Sequence, residues 1–240
     1  MLGKFILFNK QIKEHKKFTP ETKYSRRFFF PWLNTLDASK TSLDYGLPWF
    51  TFQAIEYIKN QLPSNAKVFE YGGGGSTLFF MEKNCDVFTV EHNSEWFKNI
   101  QTFFEKNKTG KKWKGFLITA EEGLIQKDPK KEEPSHYFST EKEFGNMNFK
   151  KYASKIDEFQ DEFFDLVLID GRTRPSCMAH SISKLKKGGL LVLDNTERAY
   201  YTEAFTTVLS EKFQKVVDVF GPVPYTMWFH KTTIWKKNGL

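Results

Sequence analysis

Residues 67–91 read KVFEYGGGGSTLFFMEKNCDVFTVE, and the other predicted elements are arranged around this stretch. The apolar residues 68–71 predict a short strand, four consecutive glycines follow it, a helix begins at Ser76 and Thr77, and a second strand ends on Glu91. Glycine has no Cβ and readily adopts positive φ, so a glycine turn between a strand and a helix lets a ligand approach the backbone closely. The stretch therefore indicates a site for a nucleotide-like cofactor.

The spacing of the glycines bears on which cofactor the site takes. A dinucleotide site requires G-x-G-x-x-G, in which the third glycine lets the helix pack close to the strand. Counting from Gly72 places Thr77 at the third position, and counting from Gly73 places Leu78 there, so the spacing counts against an NAD(P)-dependent oxidoreductase. Glu91 lies nineteen residues after Gly72, where an acid at a strand end accepts hydrogen bonds from both hydroxyls of a ribose. An acid at this position indicates a ribose, but it would suit NAD equally well and does not identify the cofactor.

Residues 70–77, EYGGGGST, resemble motif I of the class I S-adenosylmethionine (SAM) dependent methyltransferases, in which an acidic residue precedes Gly-x-Gly-x-Gly/Ser. The resemblance implies that the glycines admit the methionine part of SAM and that the acid at the strand end orients the loop. It covers about residues 48–240 and implies that Ala120 and Glu121, after the third predicted strand, lie near the adenine. The cofactor-binding residues that follow from it are Glu70, Gly72, Gly74, Ser76, Glu91, Glu121 and Asp170.

Two further buried strands are predicted in the second half of the chain. The apolar runs over residues 164–169 and 190–193 have the composition of strands that are buried on both faces. A helix over residues 175–185 separates them, and Lys-Gly-Gly at 187–189 is expected to end that helix.

Polar residues follow several of the predicted strands. In a doubly wound sheet the carboxyl ends of the strands line the ligand crevice, so such residues are expected to meet at one edge of the sheet. These residues are Glu70, Glu91, Asp170, Asp194 and Asn195.

Asp170, Asp194 and Asn195 resemble, in order and strand position, the Asp…Asp-Asn set that holds magnesium in metal-dependent O-methyltransferases such as the catechol and caffeoyl-CoA enzymes. Hard oxygen ligands suit Mg²⁺, and a metal-bound hydroxyl loses its proton near neutral pH. The resemblance therefore implies Mg²⁺ at these three residues, although Thr173 stands where the family has its lysine. The expected catalytic residues are Asp170 and Arg172.

Arg172 and Arg174 leave two other interpretations open. They either pair with Asp170 and Asp194 and leave no place for a metal, or they hold a carboxylate or phosphate of the substrate through bidentate hydrogen bonds. His180, inside the predicted helix, is more typical of a packing or surface histidine than of a catalytic base.

The order of strands and helices predicts an α/β fold with a Rossmann-like, doubly wound, mostly parallel sheet. Strands over residues 215–220 and 232–236 have no helix between them and are expected to form a hairpin. The family resemblance implies seven strands, the last of them antiparallel. Residues 1–47 are expected to form an N-terminal cap or extension, and residues 48–240 the methyltransferase domain.

Residues 126–150 interrupt this pattern with two prolines and a Lys-Lys-Glu-Glu run. An insertion of this length in a compact domain is typical of a lid or a disordered loop. Tyr137, Phe138 and Phe144 offer apolar surface to bury and favour a substrate lid.

Composition limits the remaining possibilities. Charged residues make up 27% of the 240 residues, and no apolar run approaches the length of a membrane span or of a signal-peptide core. Cys85 and Cys177 lie far apart without metal-ligand spacing, which favours reduced thiols and a cytoplasmic location. The net charge of +7 is compatible with nucleic acid, an acidic membrane surface or an acidic substrate, but a solvated basic surface is the simplest interpretation.

The sequence as a whole predicts a SAM-dependent methyltransferase that acts on a small-molecule acceptor, at a hydroxyl oxygen. Nucleic acid is the less favoured acceptor, because Asp-Gly-Arg-Thr and Asp-Asn-Thr-Glu stand where amino-methylating enzymes carry Asn/Asp-Pro-Pro followed by an aromatic residue. A non-catalytic SAM- or nucleotide-binding module is the alternative from another class.

Overall fold

The computed structural model describes residues 1–123 and 128–239, so residues 126 and 127 of the predicted insertion lie outside the described residues. The helices are α1 (Leu2–His15), α2 (Phe29–Asn34), α3 (Ser42–Tyr45), α4 (Phe52–Gln61), α5 (Gly75–Glu82), α6 (Ser94–Asn107), α7 (Lys150–Ser154), α8 (Arg174–Lys184) and α9 (Thr206–Lys212). The strands are β1 (Lys67–Tyr71), β2 (Asp86–Glu91), β3 (Trp113–Leu117), β4 (Glu121–Glu122), β5 (Met147–Asn148), β6 (Phe164–Ile169), β7 (Leu185–Asp194), β8 (Phe213–Gly221) and β9 (His230–Lys237).

Seven of the described strands form one sheet in the order β3-β2-β1-β6-β7-β9-β8. The first five are parallel to one another, whereas β9 is antiparallel to both β7 and β8. The predicted α/β fold, with seven strands and an antiparallel last strand, is therefore confirmed. Strand order reverses between β1 and β6, and such a switch point places a ligand crevice at the carboxyl ends of these strands.

The central strands are covered on both faces, as their continuous apolar runs predict. Successive residues of a strand point to opposite faces, so Val68 and Leu166 pack with α1, α2, α4 and α5, whereas Phe69 and Val167 pack with α7, α8 and α9. Burial on both faces holds β1 and β6 rigidly side by side, which fixes the positions of the residues that follow them.

The predicted helix end at residues 187–189 and the predicted strand start at residue 190 are both wrong. Residues 187–189 do not end a helix, because α8 already ends at Lys184 and β7 begins at the next residue, where Leu185 pairs with Phe164. The pairing of β6 with β7 changes register beyond that point, and Gly188 adopts a φ of +76° within the irregularity. The glycines therefore lie at an irregularity in the pairing of two strands. Glycine is common both at such irregularities and at helix ends, so the local sequence is similar in the two cases.

Residues 1–47 pack against the connection between β8 and β9. The indole of Trp32 donates a hydrogen bond to the carbonyl oxygen of Thr226 (2.8 Å), and the amide of Gln11 donates to that of Met227 (2.9 Å). Phe8 and Trp32 are fully buried in the same core cluster as the sheet residue Leu166. No helix in the described part of the chain is long and apolar enough to cross a membrane.

Candidate functional site

A cavity of about 580 Å³ opens at the carboxyl ends of β1, β2 and β6, where the topology predicts a ligand. The glycine turn forms one wall, and the ends of β2 and β6 form the opposite side. The predicted residues that line it are Gly72, Ser76, Glu91, Asp170 and Arg172. Its volume lies in the range typical of small-molecule sites.

Glu70 is fully buried and fixes the start of α5. Its carboxyl oxygens accept hydrogen bonds from the hydroxyls of Ser76 (2.7 Å), Thr89 (2.6 Å) and Thr77. The hydroxyl oxygen of Thr77 in turn accepts the backbone N–H of Gly74 (3.0 Å). Glu70 itself does not line the cavity, so its role here is to orient the turn.

Burial raises the pKa of Glu70 to about 7, against the three hydroxyl hydrogen bonds that lower it. The pKa of this carboxyl group in the unfolded chain is near 4.5. Between pH 4.5 and about pH 7, Glu70 is therefore protonated in the folded protein and ionised in the unfolded chain. We therefore expect Glu70 to contribute a fall of about 3 kcal/mol in the free energy of unfolding between about pH 4 and pH 8, and Glu70→Gln to remove this contribution. Urea unfolding across that pH range measures it.

The exposed carboxyl of Glu82, at the other end of α5, provides the matched control. Glu82→Gln should keep the pH dependence of the wild-type protein. The same pH dependence in Glu70→Gln as in the wild type would contradict the assignment of the proton to Glu70.

The glycine turn is packed tightly against residues of the N-terminal region. Gly72 adopts a φ of +88°, which a side chain would strain. A Cβ on Gly75 would lie 2.1 Å from the carbonyl oxygen of Leu47 and 2.6 Å from that of Ser42. Residues 42–47 therefore form a fixed wall beside the turn.

Glu91 presents a buried, charged carboxylate to the cavity. One of its oxygens accepts the backbone N–H groups of His92 and Asn93 (2.8 Å each), and the other accepts that of Gly73 (3.2 Å). Burial alone would raise the pKa of Glu91, but the adjacent His92 side chain and hydrogen bonds from the backbone of Asn93 and Gly73 lower it below its ordinary value. Glu91 thus stays ionised as an acceptor for hydroxyl protons.

Several lining residues were not predicted from the sequence. Trp96 donates its indole N–H to the carbonyl oxygen of Gly73 (2.8 Å). His92 Nδ1 lies 2.9 Å from a carboxylate oxygen of Glu91, although the two are not aligned for a hydrogen bond. The hydroxyl of Ser42 accepts the N–H of Gly75 (3.3 Å). The position of His92 directly after the strand end was the one available signal, because Trp96 has the helical spacing of an ordinary core residue.

Arg174 occupies the edge of the sheet between β6 and β7. Its guanidinium donates to Asp170 Oδ1 (3.1 Å) and to the backbone carbonyl oxygens of Asp170 (3.0 Å), Gly171 (3.1 Å) and Asp194. The side chain is nearly buried, and these four contacts satisfy most of its donors. The structure therefore contains one of the arrangements that the sequence left open, in which Arg174 pairs with Asp170.

Two carboxyl groups lie near this guanidinium, the partly buried one of Asp170 and the buried one of Asp194. Burial raises the pKa of Asp170 to about 6, while Arg174 and Arg172 act to lower it. Burial and the neighbouring Asp170 raise the pKa of Asp194, whose Oδ1 also accepts the hydroxyl of Thr232 (2.8 Å). Asp170 Oδ2 has no hydrogen-bond partner among the described residues, and Asp170 lines the cavity.

The side chains of Asp170, Asp194 and Asn195 are each engaged by another group of the protein. One oxygen of each aspartate is engaged by Arg174 or Thr232, and the amide nitrogen of Asn195 lies 3.1 Å from the ring of His230. Over residues 1–123 and 128–239, no group of three or more His, Cys, Asp and Glu side chains is placed to hold a metal ion. The guanidinium of Arg174 already supplies a positive charge beside Asp170, and Mg²⁺ at these three residues stays a prediction.

Two other predicted residues lie away from the cavity centre. Glu121 pairs with the ammonium of Lys151 (2.6 Å) and does not line the cavity, so its contact with adenine stays a prediction. Arg172 lies at the rim, where it donates to His92 Nε2 (3.3 Å) and pairs with Glu141 (3.2 Å) of the insertion.

A smaller recess of about 100 Å³ adjoins the cavity at Gly171 and Arg172. Its basic lining residues are Lys131, Arg172, Arg174 and Arg198, and Glu141 is the acidic one. Lys131 and Arg198 form no ion pair with any carboxylate of the described residues. The recess therefore carries excess positive charge beside the cavity.

The sheet order, the glycine turn after β1 and the acid that ends β2 together define the fold of the class I SAM-dependent methyltransferases. The chain has this fold and, within it, resembles the O-methyltransferases. No protein-family model matches the sequence, and no curated protein sequence matches it.

Several solved structures share this fold. The O-methyltransferase TomG from Streptomyces achromogenes, in complex with SAM, has a TM-score of 0.58 and 12% identity, covering 90% of this chain and 98% of its own. The Bacillus cereus O-methyltransferase, in complex with S-adenosylhomocysteine (SAH), has a TM-score of 0.54 and 13% identity, covering 86% of both chains. A candidate rRNA methylase from Clostridium thermocellum has a TM-score of 0.52 and 13% identity, covering 78% of this chain and 94% of its own.

Proposed function

We propose that this protein is a SAM-dependent methyltransferase that acts on a small-molecule acceptor, at a hydroxyl oxygen. The observation that carries the proposal is the meeting of the glycine turn, Glu91 and Asp170 around one cavity. A cofactor site and a candidate base thereby lie within reach of one another, as group transfer requires.

The residues of the cavity fit SAM. Glu91 is an ionised carboxylate that accepts the two ribose hydroxyls, and the turn at Gly72 leaves room for the amino acid part of the cofactor. Trp96 and Ser42 hold the turn in place through the carbonyl of Gly73 and the N–H of Gly75. When bound, SAM supplies a methyl group on a positively charged sulfur.

Asp170 is the group that accepts the acceptor's proton in this proposal. Its Oδ2 has no hydrogen-bond partner among the described residues, and its raised pKa of about 6 makes it a stronger base than an ordinary aspartate. Arg174 holds Oδ1 and so fixes the direction of Oδ2. Arg172, at the rim, positions the acceptor, and no divalent metal is needed for the proton transfer.

The basic recess favours an acceptor that carries a carboxylate or phosphate. Lys131 and Arg198 provide uncompensated charge, and the hydroxyl of Tyr201, which accepts a hydrogen bond from Arg198 (2.9 Å), holds that guanidinium in place. Charge-assisted hydrogen bonds from arginine recognise such groups with defined geometry. We also propose a cytoplasmic location, because both cysteines are buried free thiols.

Calorimetric titration with SAH, with and without EDTA, tests the cofactor and the absence of a metal requirement together. We expect a dissociation constant on the order of 10 μM that EDTA leaves unchanged, because the charge beside Asp170 comes from Arg174. Binding that disappears in EDTA and returns with Mg²⁺ would overturn the metal-free arrangement. Absence of SAH binding together with NADH binding would overturn the cofactor, and SAH binding without methyl transfer to any metabolite of a cell extract would favour a non-catalytic binding module.

A further inference from the structure

The positive charge and the exposed apolar side chains of this protein are concentrated in the same short segment. Residues 1–30 contain eight basic and two acidic residues, so they carry six of the seven net positive charges of the chain. Of the ten large hydrophobic side chains that are exposed among the described residues, seven lie in this segment. A solvated basic surface accounts for the charge but not for the apolar side chains beside it.

Helix α1 has an inner and an outer face. Phe8 and Ile12 are buried on the inner face against the core, whereas Leu2 and Ile6 are 73% and 60% exposed on the outer face. Phe5 lies beside them with 49% exposure. The outer face is therefore apolar in its first two turns.

The apolar surface continues from α1 onto α2. The ring of Phe5 contacts that of Phe29 (centroids 5.2 Å apart), which contacts that of Phe30 (5.3 Å), and Phe30 is 65% exposed. We call the exposed side chains of Leu2, Phe5, Ile6 and Phe30 the outer patch. Its members lie on two helices that are joined by ring contacts through the buried Phe29.

Basic residues border the outer patch. Lys13 follows Ile6 by seven residues, which places it two helical turns along the same outer face. Lys10, Lys16 and Lys17 are exposed on the same part of the molecule. Arg26 lies on the other side, at a groove with Phe5 and Phe29.

We propose that the outer patch and its bordering lysines attach this protein to the surface of an anionic phospholipid bilayer. An amphipathic helix lies in the interface with its apolar side chains among the acyl chains and its lysines at the anionic headgroups. Aliphatic Leu2 and Ile6 suit hydrocarbon but offer nothing to nucleic acid, whose bases stack on aromatic or guanidinium groups. The inference does not depend on the proposed methyl transfer.

Co-sedimentation of the full chain with vesicles tests this attachment. We expect binding to vesicles of equal parts phosphatidylcholine and phosphatidylglycerol, weak binding to phosphatidylcholine alone, and a decrease with added salt. Ile6→Ser should weaken binding to the anionic vesicles about tenfold, and Lys13→Ala about fivefold. Both positions are exposed, so thermal unfolding should be unchanged.

The matched control is Leu117→Ser, which changes an exposed aliphatic residue at the carboxyl end of β3, outside the N-terminal segment. It should bind vesicles like the wild type. Equal binding of Ile6→Ser and wild type, or equal binding to neutral and anionic vesicles, would overturn the proposal. So would binding of transfer RNA by a wild-type protein that does not bind the vesicles.

Discussion

Replacing Glu91 by alanine is expected to weaken SAH binding by about 100-fold or more. The carboxylate is ionised and buried at the cavity wall, and the proposal assigns it two hydrogen bonds from the ribose. A hydrogen bond to a charged group contributes about 1.5–3 kcal/mol, and two such bonds account for the expected loss. Calorimetric titration of SAH into each variant measures it.

Asp86 lies at the opposite end of the same strand and provides the matched control. Asp86→Ala removes a half-exposed carboxylate near Lys112 (3.8 Å) and should leave the affinity for SAH unchanged. Because alanine at Glu91 also removes an acceptor for three backbone N–H groups, Glu91→Gln is the second variant, which keeps one carbonyl acceptor. Wild-type affinity in both Glu91 variants would show that this residue does not hold the ribose.

Asp170→Asn is expected to lower the rate of methyl transfer by about 10²–10⁴-fold, because the amide cannot accept the acceptor's proton. SAH binding should survive, since the glycine turn and Glu91 are untouched. The measurement is the transfer of label from methyl-labelled SAM to the small-molecule fraction of a cell extract. A reduced rate with retained SAH affinity separates a catalytic effect from loss of the cofactor site.

The pH dependence of the wild-type rate is a second test of Asp170 as the base. The base must be ionised, and its pKa is raised to about 6, so the rate should fall as the pH drops below that value, by about tenfold at pH 5. Asp161→Asn is the control, because this exposed carboxylate lies before β6 and pairs with Lys184 (2.8 Å). A rate that is independent of pH between 5 and 8, or an Asp170→Asn variant as fast as Asp161→Asn, would exclude Asp170 as the base.

The glycine turn was predictable because its requirements are local. Residues 72–75 sit between an apolar strand and a helix start, and only glycine allows the backbone geometry found at Gly72. The carboxyl ends of β1, β2 and β6 were equally predictable, since an apolar run that ends on an acid marks both burial and direction. Glu91 and Asp170 therefore fell at the cavity as expected.

The metal prediction rests on a linear pattern, which does not contain the direction of a neighbouring side chain. The order Asp…Asp-Asn is compatible with three ligands around an ion, and it is equally compatible with a guanidinium between the strands. The choice depends on where the side chain of Arg174 ends, and α8 begins at that residue in a position that directs it toward Asp170 and the end of β7. Sequence alone allowed both arrangements.

The sequence by itself determined the class of fold, the glycine turn and the two acids that face it, because short runs of residues determine strand burial and backbone geometry. The tertiary structure decided what surrounds them: Ser42 and Leu47 beside the turn, Arg174 against Asp170, and the outer patch left uncovered by the core. These contacts join residues far apart in the chain or depend on the direction of one side chain. They exist only once the sheet register and the packing of the N-terminal helices bring the groups together.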